Sequence, residues 1–278
     1  MSIYKPSILI YNPFMLISVV MASYNYEKFL AEAINSVIAQ TFSDWELIIV
    51  DDGSNDGSLK LIEEFCAKDS RIKLFTHKNH ENKGLIETLK LGISKAQGDW
   101  IAFLESDDLW DENCLQTRVT SVQNSPAECV FNDVKFIGEV SKKLKNLHEK
   151  NRNFLNAKSW PCNMFYDFGV RNRILTFSSG MIKKDCFKDF NWNCPSDKLF
   201  DWWLYIHIAY SNKFLYINRP LSFWRIHRES FVNSGKKFFA LNIAAYFDVF
   251  KKHPSFRLLI FIPLAFLGFV TRKIFEKF

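Results

Sequence analysis

The sequence has no CxxC pair. Its six cysteines stand apart at 66, 114, 129, 162, 186 and 194, which argues against a zinc site or a redox dithiol and for free thiols in a reducing compartment. No GxGxxG follows the first strand-like run, and GxxxxGK followed by Ser or Thr occurs nowhere. Phosphates are therefore not held by a glycine loop of either type. Low-complexity tracts and internal repeats are absent. The N-terminal apolar patch is broken by Pro6 and Pro13 and has only Lys5 before it; it lacks the apolar core of a signal peptide, so no export is expected.

What is present fits a globular α/β chain. About half of the 278 residues are apolar and a quarter charged, and 28 Phe with 8 Trp can fill a large core. The net charge of +6 is uneven. Ser141–Lys158 and Lys251–Phe278 each carry six Lys/Arg and one Glu, so each is +5 and the remainder is −4. A mildly acidic body with two basic segments is not a nucleic-acid-binding domain.

Short apolar runs alternate with amphipathic ones. "LISVV", "WELIIV", "RIKLFT" and "DWIAFL" read as buried strands; "EKFLAEAINSVIAQ", "GSLKLIEEFCAK" and "LIETLKLGISKA" read as helices between them. "ENCLQTRVTSVQ" reads as a further helix and "AECVFNDVKFI" as a further strand. The pattern predicts a Rossmann-like, mostly parallel sheet with helices on both faces. Ligands on such sheets lie at the carboxyl ends of the strands. Those ends carry "MASYNY", "DDGSNDGS" and "ESDD". Asp52-Gly53 alone is a turn signal, and Ser54, Asn55 or Asp56 is a candidate cap for the next helix. Acid pairs converging on one edge repel, however, and a divalent cation that brings phosphates with it supplies the missing charge.

"SVVMASYNYEKFLAEAINSVIAQTFSDWELIIVDDGSNDGS" followed by "GISKAQGDWIAFLESDDLW" resembles family 2 glycosyltransferases of the GT-A fold. The resemblance is close over 16–125 and looser to about 230. It implies an N-terminal extension (1–15), a nucleotide-sugar half (16–125), an acceptor half (126–235) and a basic, apolar helical tail (236–278). It places Ala22, Tyr24, Asp51, Asp52, Lys83 and Asp107 at the donor nucleotide, with a UDP-sugar as first choice. Asp107 and Asp108 would hold Mg²⁺ or Mn²⁺ against the diphosphate, while Glu105 stands where the family often has Asp. "KLFDWWLYIHIA" has Phe200-Asp201 where the family has a Glu-Asp pair, which makes Asp201 the candidate base; capping of its own helix is the plain alternative. Arg225 and His227 in "LSFWRIHRES" and Ser179 in "FSSGMIKKDCF" are candidate diphosphate or acceptor contacts. Leu89-Lys90 replaces the family's Arg-Asn pair.

The implied activity is inverting, metal-dependent sugar transfer to a saccharide or lipid-linked saccharide in surface polysaccharide assembly. A catalytically silent binding module and a nucleotidyltransferase are the alternatives; the second wants basic residues near the first strand, where "MASYNY" has none. The tail run Leu258–Val270 has 13 uncharged residues, short of the ~20 needed to span a bilayer. It reads as a packed terminal helix or as a peripheral anchor, with Lys251, Lys252, Arg257, Arg272 and Lys273 at anionic headgroups. The expected location is the cytoplasm, at the inner face of the membrane if the tail anchors. Ser141–Lys158 reads as a flexible basic loop or a solvated insertion.

Overall fold

A computed structural model describes residues 15–227 and 239–254. Strand β1 (Ile17–Ser23) leads through helix α1 (Glu27–Ile38) to β2 (Trp45–Asp51), and α2 (Ser58–Lys68) leads to β3 (Ile72–Thr76). Helix α3 (Leu85–Lys95), β4 (Trp100–Phe103), the two-residue β5 (Leu109–Trp110) and α4 (Cys114–Gln123) complete the first half. The second half holds β6 (Cys129–Gly138), α5 (Lys142–Asn156), α6 (Phe165–Val170), β7 (Gly180–Lys183), α7 (Phe200–Ala209), β8 (Phe214–Ile226) and α8 (Phe239–Lys252).

All eight strands form one sheet, in the order β3-β2-β1-β4-β7-β6-β8-β5. The first four are parallel, as the continuous apolar runs require: every residue of β2 is buried. The second half is mixed, because β7 runs antiparallel to β4 and β6, and β5 antiparallel to β8. Parallel pairing is continuous through the first half and returns in the second between β6 and β8, so the sheet is mostly parallel.

Side chains alternate across the strands, so each face builds its own core. Val20, Ile48, Val50 and Ile101 pack against α3 and the second-half helices. Ile17, Val19, Met21, Leu47 and Ile49 pack against α1, α2 and α4. In α1 the buried set Leu30, Ala33, Ile34 and Val37 has the i, i+3, i+4, i+7 spacing of one helical face. Gly92 lets α3 sit close to the sheet, since a Cβ there would lie 2.6 Å from Val20 Cγ1.

Residues 142–156 form a helix, not a flexible loop. Ser141 caps it by accepting from the Leu144 amide, and Leu144, Asn151 and Leu155 turn inward. The basic residues that suggest solvation are its outer face. Helix α8 begins the expected C-terminal helix and packs Ala245 and Val249 inward; His253 just beyond it meets His207 of α7 (Nε2 to Nδ1, 3.0 Å). Residues 1–14, and the tail from 255 with its apolar run, lie outside the described residues. The six cysteines are free.

The turn after β2 depends on Gly53, at φ +81°, where an added Cβ would meet His80 O at 2.8 Å. Gly53→Ala is expected to destabilise the fold by about 1–3 kcal/mol, readable as a lower urea midpoint with an unchanged slope.

Candidate active site

The turns after β1 and β2 bind each other. Asn25 takes a left-handed φ of 55°; its amide donates to Ser54 Oγ (3.0 Å) and its Oδ1 accepts from the Asn55 amide (2.7 Å). The Tyr26 amide reaches Ser58 Oγ and the Glu27 amide reaches Asp56 Oδ2. The residue capping α2 is Gly57, with no side-chain bond. Ser54 and Asn55 therefore serve the neighbouring turn, while Asp56 serves both that turn and the following helix, its Oδ1 accepting from the Ser58 amide (3.0 Å). This lacing leaves Tyr24 outward, 43% exposed, and Ala22 half-buried above the core.

Asp51 and Asp52 are both buried. Asp51 accepts from the Ser54 amide (2.9 Å), Ser54 Oγ (2.6 Å) and His80 Nε2 (2.8 Å). Asp52 accepts from the consecutive amides of Lys83 (2.7 Å) and Gly84 (2.9 Å). The pair does not repel its way outward. It is hydrogen-bonded from within and shapes the 77–84 loop, where Asn79 and His80 also hold positive φ. Left-handed residues clustering on these loops mark backbone held in place for a purpose. Lys83 joins the site through its amide; its ammonium pairs with Glu81. Asp197, from the second half, accepts from the Leu85 and Ile86 amides (both 3.2 Å) at the start of α3, a favourable place for a carboxylate.

The "ESDD" acids divide into two kinds. Asp108 is fully buried: its Oδ2 accepts from Ser178 Oγ (2.6 Å) and sits 2.7 Å from Thr176 Oγ1, while its Oδ1 accepts from the Arg225 amide (2.9 Å). Both oxygens have partners within the protein, so Asp108 braces the site. Glu105 is exposed overall and Asp107 half-buried. Glu105 Oε2 is 2.6 Å from the same Thr176 hydroxyl. That hydroxyl has one hydrogen, so contact with both carboxyls requires a proton on Glu105 or Asp108. Their pKa values agree. Burial, then Asp108 and Asp107, pushes Glu105 well above the usual range; burial, then Asp107, pushes Asp108 up to about 7.

Asp107 Oδ2 meets His227 Nε2 at 3.0 Å, and its carbonyl accepts from Arg225 Nε at 2.8 Å. The Arg225 guanidinium continues to Glu32 (2.7 Å) and lies over the Phe29 ring; His227 also packs on that ring. The structure thus brings Arg225 and His227, the candidate diphosphate or acceptor contacts, to Asp107. Ser179 is different: fully buried, it donates to the Thr176 carbonyl (2.8 Å) and braces a turn.

Asp201 lies in the first turn of α7 without being its cap. Its Oδ1 accepts from the Trp202 amide (2.6 Å) and its Oδ2 from Asn172 Nδ2 (2.8 Å). Burial lifts its pKa to about 6. Phe200, where the family has an acid, is core: its ring stacks on Trp192 (centroids 5.9 Å apart). Leu89 is likewise buried, and Lys90 pairs with Glu87 on the outer face of α3.

Sequence reading missed Thr176, Ser178 and Asn172. They sit on one segment, 172–178, which holds Asp201 at one end and the "ESDD" acids at the other. The Thr-x-Ser pattern that caps the turn at 177–179 was their only local signal. Arg118 was also missed. It is fully buried with Nη2 on Asn132 Oδ1 (2.6 Å) and on the Ser178 carbonyl (2.9 Å), so it fixes that segment from behind.

The residues present fit a hard divalent cation. Asp107 Oδ1 and Glu105 Oε1 make no hydrogen bond among the described residues. The described residues contain no cluster of three His, Cys, Asp or Glu able to enclose an ion, but magnesium usually takes one or two carboxylates and completes its shell with water and substrate phosphate.

Comparison with known proteins points to one family. The family profile described as "Glycosyl transferase family 2" matches residues 18–178. Glycosyltransferase GlyG of Streptococcus pneumoniae is 38% identical over 117 residues, 42% of this chain and 38% of its own. The Escherichia coli UDP-Glc:alpha-D-GlcNAc-diphosphoundecaprenol beta-1,3-glucosyltransferase WfgD is 36% identical over 126 residues, 45% of this chain and 48% of its own. The chain therefore spans less than half the length of these curated relatives. In fold it is similar to S. aureus TarS in complex with UDP-GlcNAc (TM-score 0.64, 17% identity, 85% of this chain and 67% of that one). It is also similar to the mannosyltransferase PcManGT of Pyrobaculum calidifontis in complex with GDP-Man and Mn²⁺ (TM-score 0.59, 13% identity, 85% and 63%). A profile covering more than half of the chain, with the strand-end acids gathered on a GT-A sheet, establishes the family: the chain belongs to glycosyl transferase family 2.

Proposed function

We propose that this chain transfers a sugar from a nucleoside-diphosphate sugar, a UDP-sugar first, to a hydroxyl of a saccharide or lipid-linked saccharide, with inversion and with Mg²⁺ or Mn²⁺. The observation that carries this reading is the 172–178 segment. Through Asn172 it holds a carboxylate with a pKa of about 6, and through Thr176 and Ser178 it holds the acid cluster. One short stretch fixes the spacing of a proton acceptor and an anion-and-metal end, as a single displacement needs. The names of WfgD and of the TarS complex, with a UDP-sugar in both and a diphosphate-linked acceptor in the first, support the substrate classes.

In this mechanism Asp201 is ionised near neutral pH and accepts the proton of the acceptor hydroxyl as that oxygen attacks the anomeric carbon. Asn172 and the Trp202 amide keep its lone pairs aimed. Glu105 and Asp107 would hold the cation, which when bound would neutralise charge growing on the leaving diphosphate. His227 orients Asp107, Arg225 ties it to β8, and Tyr24 offers a face to the nucleotide. A peripheral position on the cytoplasmic face of the membrane suits a lipid-linked acceptor, and Lys251 and Lys252, exposed on α8, are placed near the tail that would anchor there.

A thermal-shift screen with Mn²⁺ and UDP, GDP or dTDP should give the largest shift with UDP. Asp107→Asn is expected to weaken UDP binding in Mn²⁺ by about tenfold or more, the scale of one lost charge-assisted contact, with little change when metal is chelated. Calorimetry showing the same wild-type UDP affinity with and without Mn²⁺ would remove the metal from the proposal.

A further inference from the structure

The segment that holds Asp201 begins Arg171-Asn172-Arg173. Asn172 gives its amide to the base, so both arginines start one residue, about 3.8 Å, from the group that positions it. Among the described residues neither forms an ion pair. The acid that acts on Arg173, Asp167, raises its proton affinity from a distance but is itself paired with Lys158 (2.8 Å). Arg173 lies 3.8 Å above the Phe154 ring, reaches Asn151 Oδ1 only at 3.4 Å, and keeps a buried Nε with no partner. Burial and the charge of Arg171 lower its proton affinity. A half-buried cation beside a like charge, with an unused donor, is costly unless an anion completes it. Paired guanidinium forks match phosphate oxygens. The outer face of α5, with Lys142, Lys143, Lys145 and Lys150 exposed, adds positive potential behind Asn151.

We propose that Arg171 and Arg173 bind a phosphate or diphosphate carried by the acceptor, beside the base that deprotonates its hydroxyl. The site rests on the reading of Asp201 as that base. The donor diphosphate is a separate source of the same chemistry, placed at Glu105 and Asp107 beyond Thr176, three residues and up to about 10 Å of chain from Arg173.

The test uses the full chain, saturated with UDP and Mn²⁺ so that the donor end is filled. Two probes are titrated by calorimetry: a short-chain prenyl-diphosphate sugar, and the same sugar as an uncharged alkyl glycoside. Arg171→Gln and Arg173→Gln are each expected to weaken the diphosphate probe about tenfold or more, while the glycoside binds variants and wild type alike. Arg171 is exposed, so its variant should fold even if loss of the Arg173–Phe154 stack loosens the other. Unchanged binding of the diphosphate probe overturns the site. So does an equal loss for both probes, and so does weakened binding of UDP titrated alone, which would assign the arginines to the donor. If the wild type transfers sugar but binds both probes alike, this site falls and the transfer reading stands. If it binds the diphosphate through the arginines yet transfers nothing, the site stands and the transfer reading falls.

Discussion

Asp201→Asn is expected to lower the transfer rate by roughly 10²–10⁴-fold, the usual contribution of a general base. The amide has nearly the same shape and its oxygen can still accept from the Trp202 amide. Its nitrogen, however, would face Asn172 Nδ2, donor against donor, and Asn172 cannot simply flip because its Oδ1 already accepts from the Ile174 amide (3.1 Å). That conflict should cost about 1 kcal/mol, too little to unfold the protein. UDP affinity should therefore stay near wild type while turnover collapses. The wild-type rate should rise with pH through about 6, where burial has placed the Asp201 pKa, because the base acts only when ionised; the variant should lose that limb. Stability runs the other way. A carboxyl with a raised folded pKa binds its proton more tightly when folded, so its contribution is greatest below the unfolded value near 4 and is lost as pH rises through about 6. A variant that turns over near the wild-type rate on its acceptor would remove Asp201 from the role. A loss of UDP binding equal to the loss of rate would make it structural.

Much of the first half was legible because period and burial agree there. Continuous apolar runs such as "WELIIV" can only be strands covered on both faces, and the loop rule then puts "DDGS" and "ESDD" on one edge. What sequence could not give was the direction of each carboxyl. Asp51, Asp52 and Asp108 read as outward acids, yet each is met by donors that lie far along the chain: His80, the Lys83 and Gly84 amides, Ser178, the Arg225 amide. Those partners are ordinary residue types whose meaning exists only after folding. Spacing alone also cannot tell a basic loop from a basic helix face. In α5 the inward set includes Asn151, a polar residue held by the Arg173 carbonyl (2.8 Å), and this blurs the apolar stripe that marks a helix.

Asp108→Ala should be the most damaging change to the fold among the strand-end acids. In the wild type three groups converge on this buried carboxyl: the Ser178 hydroxyl and the Arg225 amide donate to it, and the Thr176 hydroxyl is shared between it and Glu105. Removing it strands buried donors at about 1–3 kcal/mol each. Relief of repulsion with Glu105 and Asp107 returns part of that, and Thr176 can turn its hydrogen wholly to Glu105. A net loss of about 3 kcal/mol is expected, or ~6–12 °C in melting temperature for a domain of this size. Asp108→Asn should lose less. Its oxygen can serve the Arg225 amide and its nitrogen can donate to the Thr176 oxygen, so only the Ser178 hydroxyl needs a new acceptor. The order wild type, Asn, Ala in thermal stability is the signature of a brace. A metal ligand predicts something else: both substitutions would abolish the Mn²⁺-dependent part of UDP binding while the apo protein melted as before. Melting curves without metal, set beside UDP calorimetry with and without Mn²⁺, separate the two. The brace reading further requires that residual UDP affinity in the Asn variant still respond to Mn²⁺, because Glu105 and Asp107 keep their outward oxygens when Asp108 is changed.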